Sequence, residues 1–156
     1  MTPPAAAFTL LLLAAASLAQ AAPDAAADAD AKPRKGLLAP KVHLTVDHST
    51  ASLMDKATAD KLWKQHLGAR VAKLYPVPKW GFISQVEGGF DASKTCVLTA
   101  RAMMVPRRGK NLIFEPTKSA TTFATQAGAT VEQCRELART KLDEAIVSVR
   151  SSLLKD

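Results

Sequence analysis

Trp80-Gly81-Phe82-Ile83-Ser84-Gln85-Val86-Glu87-Gly88-Gly89 decides how this chain is to be read. Trp80, Phe82, Ser84 and Val86 alternate with Gly81, Ile83, Gln85 and Glu87, the period of two that belongs to a strand. Gly88-Gly89 is expected to break the run. Working downstream, Thr95 to Val105 reads as a second strand, and Pro106-Arg107-Arg108-Gly109-Lys110-Asn111 as a turn. Leu112-Ile113-Phe114 starts a third strand, which Thr121 to Thr125 either extends or follows as a short fourth. Val42 to Val46 is a further short strand candidate. The short connections imply an antiparallel meander.

On both sides of the strands the period becomes helical. Downstream, Thr130-Val131-Glu132-Gln133 has the form of a capping box. From Val131 to about Leu154 the residues Val131, Cys134, Ala138, Leu142, Ala145, Val149 and Leu153 form one apolar stripe. Glu132, Glu136, Arg139, Asp143 and Arg150 lie on the other face, and Val147 stands among them as an exposed valine. Upstream, a helix is expected from Thr58 to about Tyr75, started by Thr58 or Ser52. Trp63, Leu67, Val71 and Leu74 share its apolar stripe, with Lys61, Lys64 and Lys73 away from it. Gly68 kinks or splits it. Pro76-Val77-Pro78 ends it, because proline cannot continue the helical ladder. The expected fold is α+β: a small antiparallel meander of three to four strands, flanked by an N-terminal and a C-terminal helix packed on one face.

The chain's first segment stands apart from this pattern. Phe8 to Leu18 is almost wholly apolar, too short to span a bilayer, and Ala19-Gln20-Ala21 fits the small-x-small cleavage rule. Residues 1–21 therefore read as a secretory signal peptide, although no Lys or Arg precedes Lys32. Residues 22–40 are Ala, Asp, Pro and Lys almost throughout, without enough apolar surface to offset the entropy of ordering, and read as a disordered linker. Residues 41–156 form the single domain. Export makes the protein periplasmic or secreted, with no transmembrane segment expected in the mature chain.

Export also changes the meaning of the two cysteines. In an oxidising compartment an even count argues for a bridge, and Cys96 with Cys134 allow one intramolecular pairing. That bridge would staple the second strand to the last helix. A bridged Cys is no nucleophile, and neither residue has a C-x-x-C or C-x-x-H neighbour that would suggest metal.

The 156 residues carry 21 Lys+Arg against 14 Asp+Glu. From Lys32 onward the 21 basic residues face 11 acidic ones, a balance of +10. No G-x-G-x-x-G, P-loop, G-x-S-x-G or H-E-x-x-H occurs, and no carboxylate pair stands out. The expectation is a non-enzymatic protein without cofactor. His43, Asp47 and His48 are the nearest approach to a metal constellation, but their spacing fits neither one helix face nor one strand face, so no metal is expected. His66 reads as a packing or surface residue.

Binding candidates are the crowded turn of Arg107, Arg108 and Lys110, suited to carboxylates or phosphates. Arg101 and Met103 join them as residues lining the sheet's second face if it is uncovered. Phe90 is a possible aromatic anchor beside Gly88-Gly89. Nucleic acid is not expected, because export removes the chain from the cytoplasm and no aromatics interleave with the basic turn. The expected function is to bind an envelope protein or an anionic envelope surface. The alternatives are a periplasmic immunity or inhibitor protein that blocks a toxic enzyme, and a small envelope enzyme or ligand carrier with a concave pocket.

Overall fold

A computed structural model of the protein describes residues 43–155. The segments read as signal peptide and linker lie outside the described residues. The elements in order are β1 (Thr45–Asp47), α1 (Lys56–His66), α2 (Ala69–Leu74), β2 (Trp80–Phe90), β3 (Thr95–Arg108), β4 (Asn111–Leu112), β5 (Lys118–Ala127) and α3 (Val131–Leu153). Helix and strand are thus mixed, as the two sequence periods required. Four strands form the main sheet in the order β1-β2-β3-β5, and β4 pairs with the far end of β3 as a short ribbon.

The β2–β3 pair is antiparallel from Trp80↔Pro106 to Phe90↔Cys96, and the β3–β5 pair from Thr95↔Ala127 to Met104↔Lys118. The β1–β2 pair is parallel, Thr45 opposite Phe82 and Asp47 opposite Ser84, and departs from a pure antiparallel meander. The reason is connectivity. The chain runs through α1 and α2 before re-entering the sheet, and such a crossover lets it return in its original direction.

Hydrogen bonds fix the phase of the ladder. Phe82 N–H donates to the Leu44 carbonyl, and the Ser84 and Val86 carbonyls accept from His48 and Thr50. Even-numbered residues of β2 therefore bond toward β1. Because successive residues of a strand alternate between neighbours, odd residues of β2 bond toward β3. By the same alternation even residues of β3 bond toward β5, and Met104 O duly accepts from Thr117 N–H.

Several boundaries differ from the sequence reading. Gly88-Gly89 does not end β2; pairing continues through Gly88↔Leu98 and Gly89↔Val97. Gly88 adopts φ 134°, and a Cβ there would fall 2.1 Å from the Val97 carbonyl oxygen. The glycine permits a close backbone approach rather than a break. The turn is shorter than expected, because β3 runs on to Arg108 and only Gly109-Lys110 lies between the paired strands. Gly109, at φ 60°, occupies the first central position, the glycine position of a type II′ hairpin turn. Pro106 fits inside β3 because its missing N–H would point past the start of β5, while its carbonyl accepts from Ile113 N–H at 2.9 Å. The strand expected at Leu112-Ile113-Phe114 stops at Leu112, and the long partner of β3 is β5 instead. The single helix expected from Thr58 to Tyr75 is two, parted at Leu67-Gly68, and Asp55 caps α1 by accepting from Thr58 N–H at 2.9 Å.

The main core lies on one face of the sheet. Phe82, Val86, Leu98 and Met104 meet Leu62 and Trp63 of α1 and the α3 stripe Ala138, Leu142, Ala145, Val149 and Leu153. Thr130 and Gln133 complete the capping box of α3 in both directions. Val131 lies in the first turn, before the stripe reaches the sheet, and is 49% exposed. Cys96 and Cys134 are bonded, with Cα atoms 5.8 Å apart, and tie β3 to α3. A smaller apolar cluster, Ile83, Met103 and Val105 with Val46 and Leu112, occupies the opposite face. Leu112 sits over Gly81, where a Cβ would fall 2.5 Å from its Cδ2. Leu112 of β4 therefore covers this half of the second face, and the segment that follows carries Phe114 edge-on to His48.

Candidate functional site

The topology sends many cations to one end of the molecule. There β2 begins, β3 ends, β5 begins, and α2 and α3 end. Tyr75 joins these termini: its hydroxyl donates to the Leu153 carbonyl at 3.3 Å and its ring meets Trp80 in a T-shaped contact at 5.9 Å. Arg107 N–H donates to the Lys79 carbonyl at 2.7 Å, which brings the basic turn beside the approach to β2. Lys118 is the first residue of β5, Lys73 lies in the last turn of α2, and Arg150 in the last turn of α3.

None of these cations is in an ion pair among the described residues. The pairs found are Lys64–Asp60, Arg139–Glu136 and Lys141–Glu144, with a His66–Asp143 hydrogen bond beside them, all carried by α1 and α3. The pole's cations outnumber its neighbouring acid, Glu115, and none of them is paired with it among the described residues. Arg108 and Lys110 are exposed at the tip. Arg107 is half-buried: Nη1 donates to the Val77 carbonyl at 3.1 Å, and its Nε is buried without a partner.

The remaining expected binding residues lie elsewhere. Arg101 is exposed in the middle of the second face, between Gln85 and Thr121. Met103 is 1% exposed beneath the segment that carries Leu112 and lines no surface. The expectation for it assumed an uncovered face. Phe90 is 43% exposed at the opposite end of β2 from the turn. The structure thus keeps Arg107, Arg108 and Lys110 together, adds Lys79 and Lys118 to them, and separates Arg101, Met103 and Phe90. Lys79 and Lys118 were individually visible in the sequence, but only strand order makes them neighbours.

A second feature was not anticipated. A cleft of about 510 Å³ lies between β1 and α1 and is lined by His43, Thr45, Asp47, Asp60, Trp63 and Ser84, among others. Asp47 accepts from Ser49 at 2.7 Å and from Ser84 at 2.8 Å. Asp60 accepts from Thr45 and pairs with Lys64 at 2.5 Å. His43 Nε2 donates to the Leu67 carbonyl at 2.8 Å, which leaves Nδ1 as an acceptor in the neutral ring. Burial pushes the His43 pKa down, and the bond to Leu67 opposes this in part. Neither His43 Nδ1 nor the indole N–H of Trp63 has a partner, although both are buried. One unpartnered acceptor and one unpartnered donor thus belong to residues lining the same cleft. Both atoms are shut off from solvent, and Trp63 is buried in the core, so neither is presented to a ligand in the cleft. His48 instead faces Phe114, and no group of three or more His, Cys, Asp or Glu residues converges as a metal site among the described residues.

No protein-family model matches this chain, and neither a curated protein nor a solved structure matches it.

Proposed function

We propose that the protein is a non-enzymatic exported binding protein that engages an acidic envelope protein or an anionic envelope surface through its basic pole. The observation that carries this reading is the convergence of Lys79, Arg107, Arg108, Lys110 and Lys118 at one end, without ion pairs among the described residues. Cations left unpaired keep their full potential for an anionic partner, and guanidinium groups present forked donors to carboxylate or phosphate.

The test is charge reversal, R107E together with R108E and K110E. Retention of a partner from envelope extract and binding to vesicles of phosphatidylglycerol in phosphatidylcholine would both be measured. At about 1 kcal/mol per cation near an anionic surface, loss of three cations alone costs roughly 100-fold in vesicle affinity if lipid is the target, and the introduced glutamates should add to it. Unchanged retention and unchanged vesicle binding together would overturn the reading.

The cleft favours a second reading, a carrier of a small polar ligand. Its support is the concave cleft of about 510 Å³, whose lining includes Asp47, Lys56, Asp60 and Lys64. K56Q would remove an exposed lining cation, and should weaken capture of such a ligand from envelope metabolite extract without affecting the pole.

A further inference from the structure

Among the described residues β5 is the long open edge of the sheet; it pairs there with β3 alone, and it runs ten residues, Lys118–Ala127. Sheet edges are normally blunted by short strands, lysines, prolines or bulges. The opposite edge follows that rule, since β1 is only three residues long. β5 does not. After Lys118 no charged residue occurs until Glu132, no proline interrupts it, and its pairing with β3 runs in continuous register.

The ladder phase shows which groups are open. Even residues of β3 bond toward β5, and they face Ala120, Thr122, Ala124 and Gln126. By alternation Ser119, Thr121, Phe123, Thr125 and Ala127 direct their N–H and C=O groups at the free edge. Phe123, in the middle of this set, is 62% exposed on the second face of the sheet.

We propose that this edge pairs with β5 of a second copy, antiparallel about a two-fold axis at Phe123, making one continuous sheet through a dimer. Hydrogen-bonded pairs must join odd residues of one copy to odd residues of the other. A two-fold axis at Phe123 meets that condition and uses the whole strand: Ser119 faces Ala127, Thr121 faces Thr125, and Phe123 faces its own copy. About ten main-chain hydrogen bonds result. The two phenylalanines become a cross-strand aromatic pair, a contact that stabilises sheets. Charge selects both the surface and the direction. Two net-positive chains approach with least repulsion along an uncharged edge. Antiparallel pairing sets the two Lys118 residues, and the basic poles with them, about 30 Å apart along the strands. That is well beyond a screening length of about 8 Å at physiological salt, whereas parallel pairing would bring the poles together.

The experiment is a concentration series of the isolated full chain by analytical ultracentrifugation, with amide hydrogen exchange read residue by residue. The expected result is a monomer–dimer equilibrium in which the amides of Thr121, Phe123 and Thr125 slow with concentration. Those of Thr122 and Ala124, already bonded to β3, should not change. T125P removes one edge donor, and F123K places like charges face to face at the axis. Both should give folded monomers with the disulfide intact, and F123K decides the matter if T125P does not fold. A chain that stays monomeric throughout, exchange lacking the odd–even pattern, or a dimer unaffected by F123K would overturn the proposal. A chain that stays monomeric yet protects the same odd amides when an extended peptide is added would assign the edge to a different partner.

Discussion

His43 couples the cleft to pH. Burial disfavours its imidazolium, so its pKa in the folded protein lies below the ordinary value of 6.5. The unfolded chain therefore takes up a proton first as pH falls. Stability is expected to be full above about pH 6.5 and to decline as pH drops from there toward the folded pKa. Urea unfolding of the parent and of H43Q between pH 7.5 and 5 checks this, and H43Q should show the shallower decline. Gly88 acts through geometry instead. Its φ of 134° and the 2.1 Å approach of a notional Cβ to the Val97 carbonyl oxygen leave no room for a side chain. G88A is expected to cost at least about 2 kcal/mol, read from the urea midpoint. Both residues were visible in the sequence, but their roles were not. The double glycine was read as a break because a φ value and a neighbouring strand's carbonyl are properties of the folded pair.

Among the elements, α3 was the most legible. Its cap, its stripe and its exposed Val147 all arise within one helix, so spacing alone reports them. The bridge was legible for a different reason, since two cysteines admit one pairing. It closes a loop with a sequence separation of 38, and a C96S/C134S variant is expected to lose about 3–4 kcal/mol through the greater freedom of the unfolded chain. Urea unfolding with and without a phosphine reductant measures this; the reduced parent should fall to the stability of the double variant. The upstream helix was harder to delimit. Gly68 signalled an interruption, but whether the chain kinks or stops there depends on how Val71 and Trp63 each reach the core. β5 was the least legible strand. Its Thr, Ser and Ala residues carry little apolar alternation, and what makes it a strand is the neighbouring β3.

For the whole molecule, charge placement matters more than net charge. A binding surface built from clustered, unpaired cations should be strongly salt-dependent. Vesicle or partner affinity is expected to fall steeply between 50 and 300 mM salt, with a smaller slope for R107E/R108E/K110E than for the parent. A salt-independent interaction would overturn the basic pole as the binding surface. The cluster was only partly readable beforehand. Arg107, Arg108 and Lys110 are adjacent in the chain, whereas Lys79 and Lys118 join them through strand order. Met103 illustrates the converse, because a covering segment from elsewhere in the chain removes it from the surface. The amino-acid sequence by itself determined the mixed helix and strand composition, the capped final helix, the cysteine pairing and the excess of positive charge, since each depends on local spacing or on counting. The tertiary structure alone decided the parallel β1, the cover over half of the second face, the cleft between β1 and α1 and the open edge of β5. Those follow from which distant segments lie side by side, and no local period encodes that.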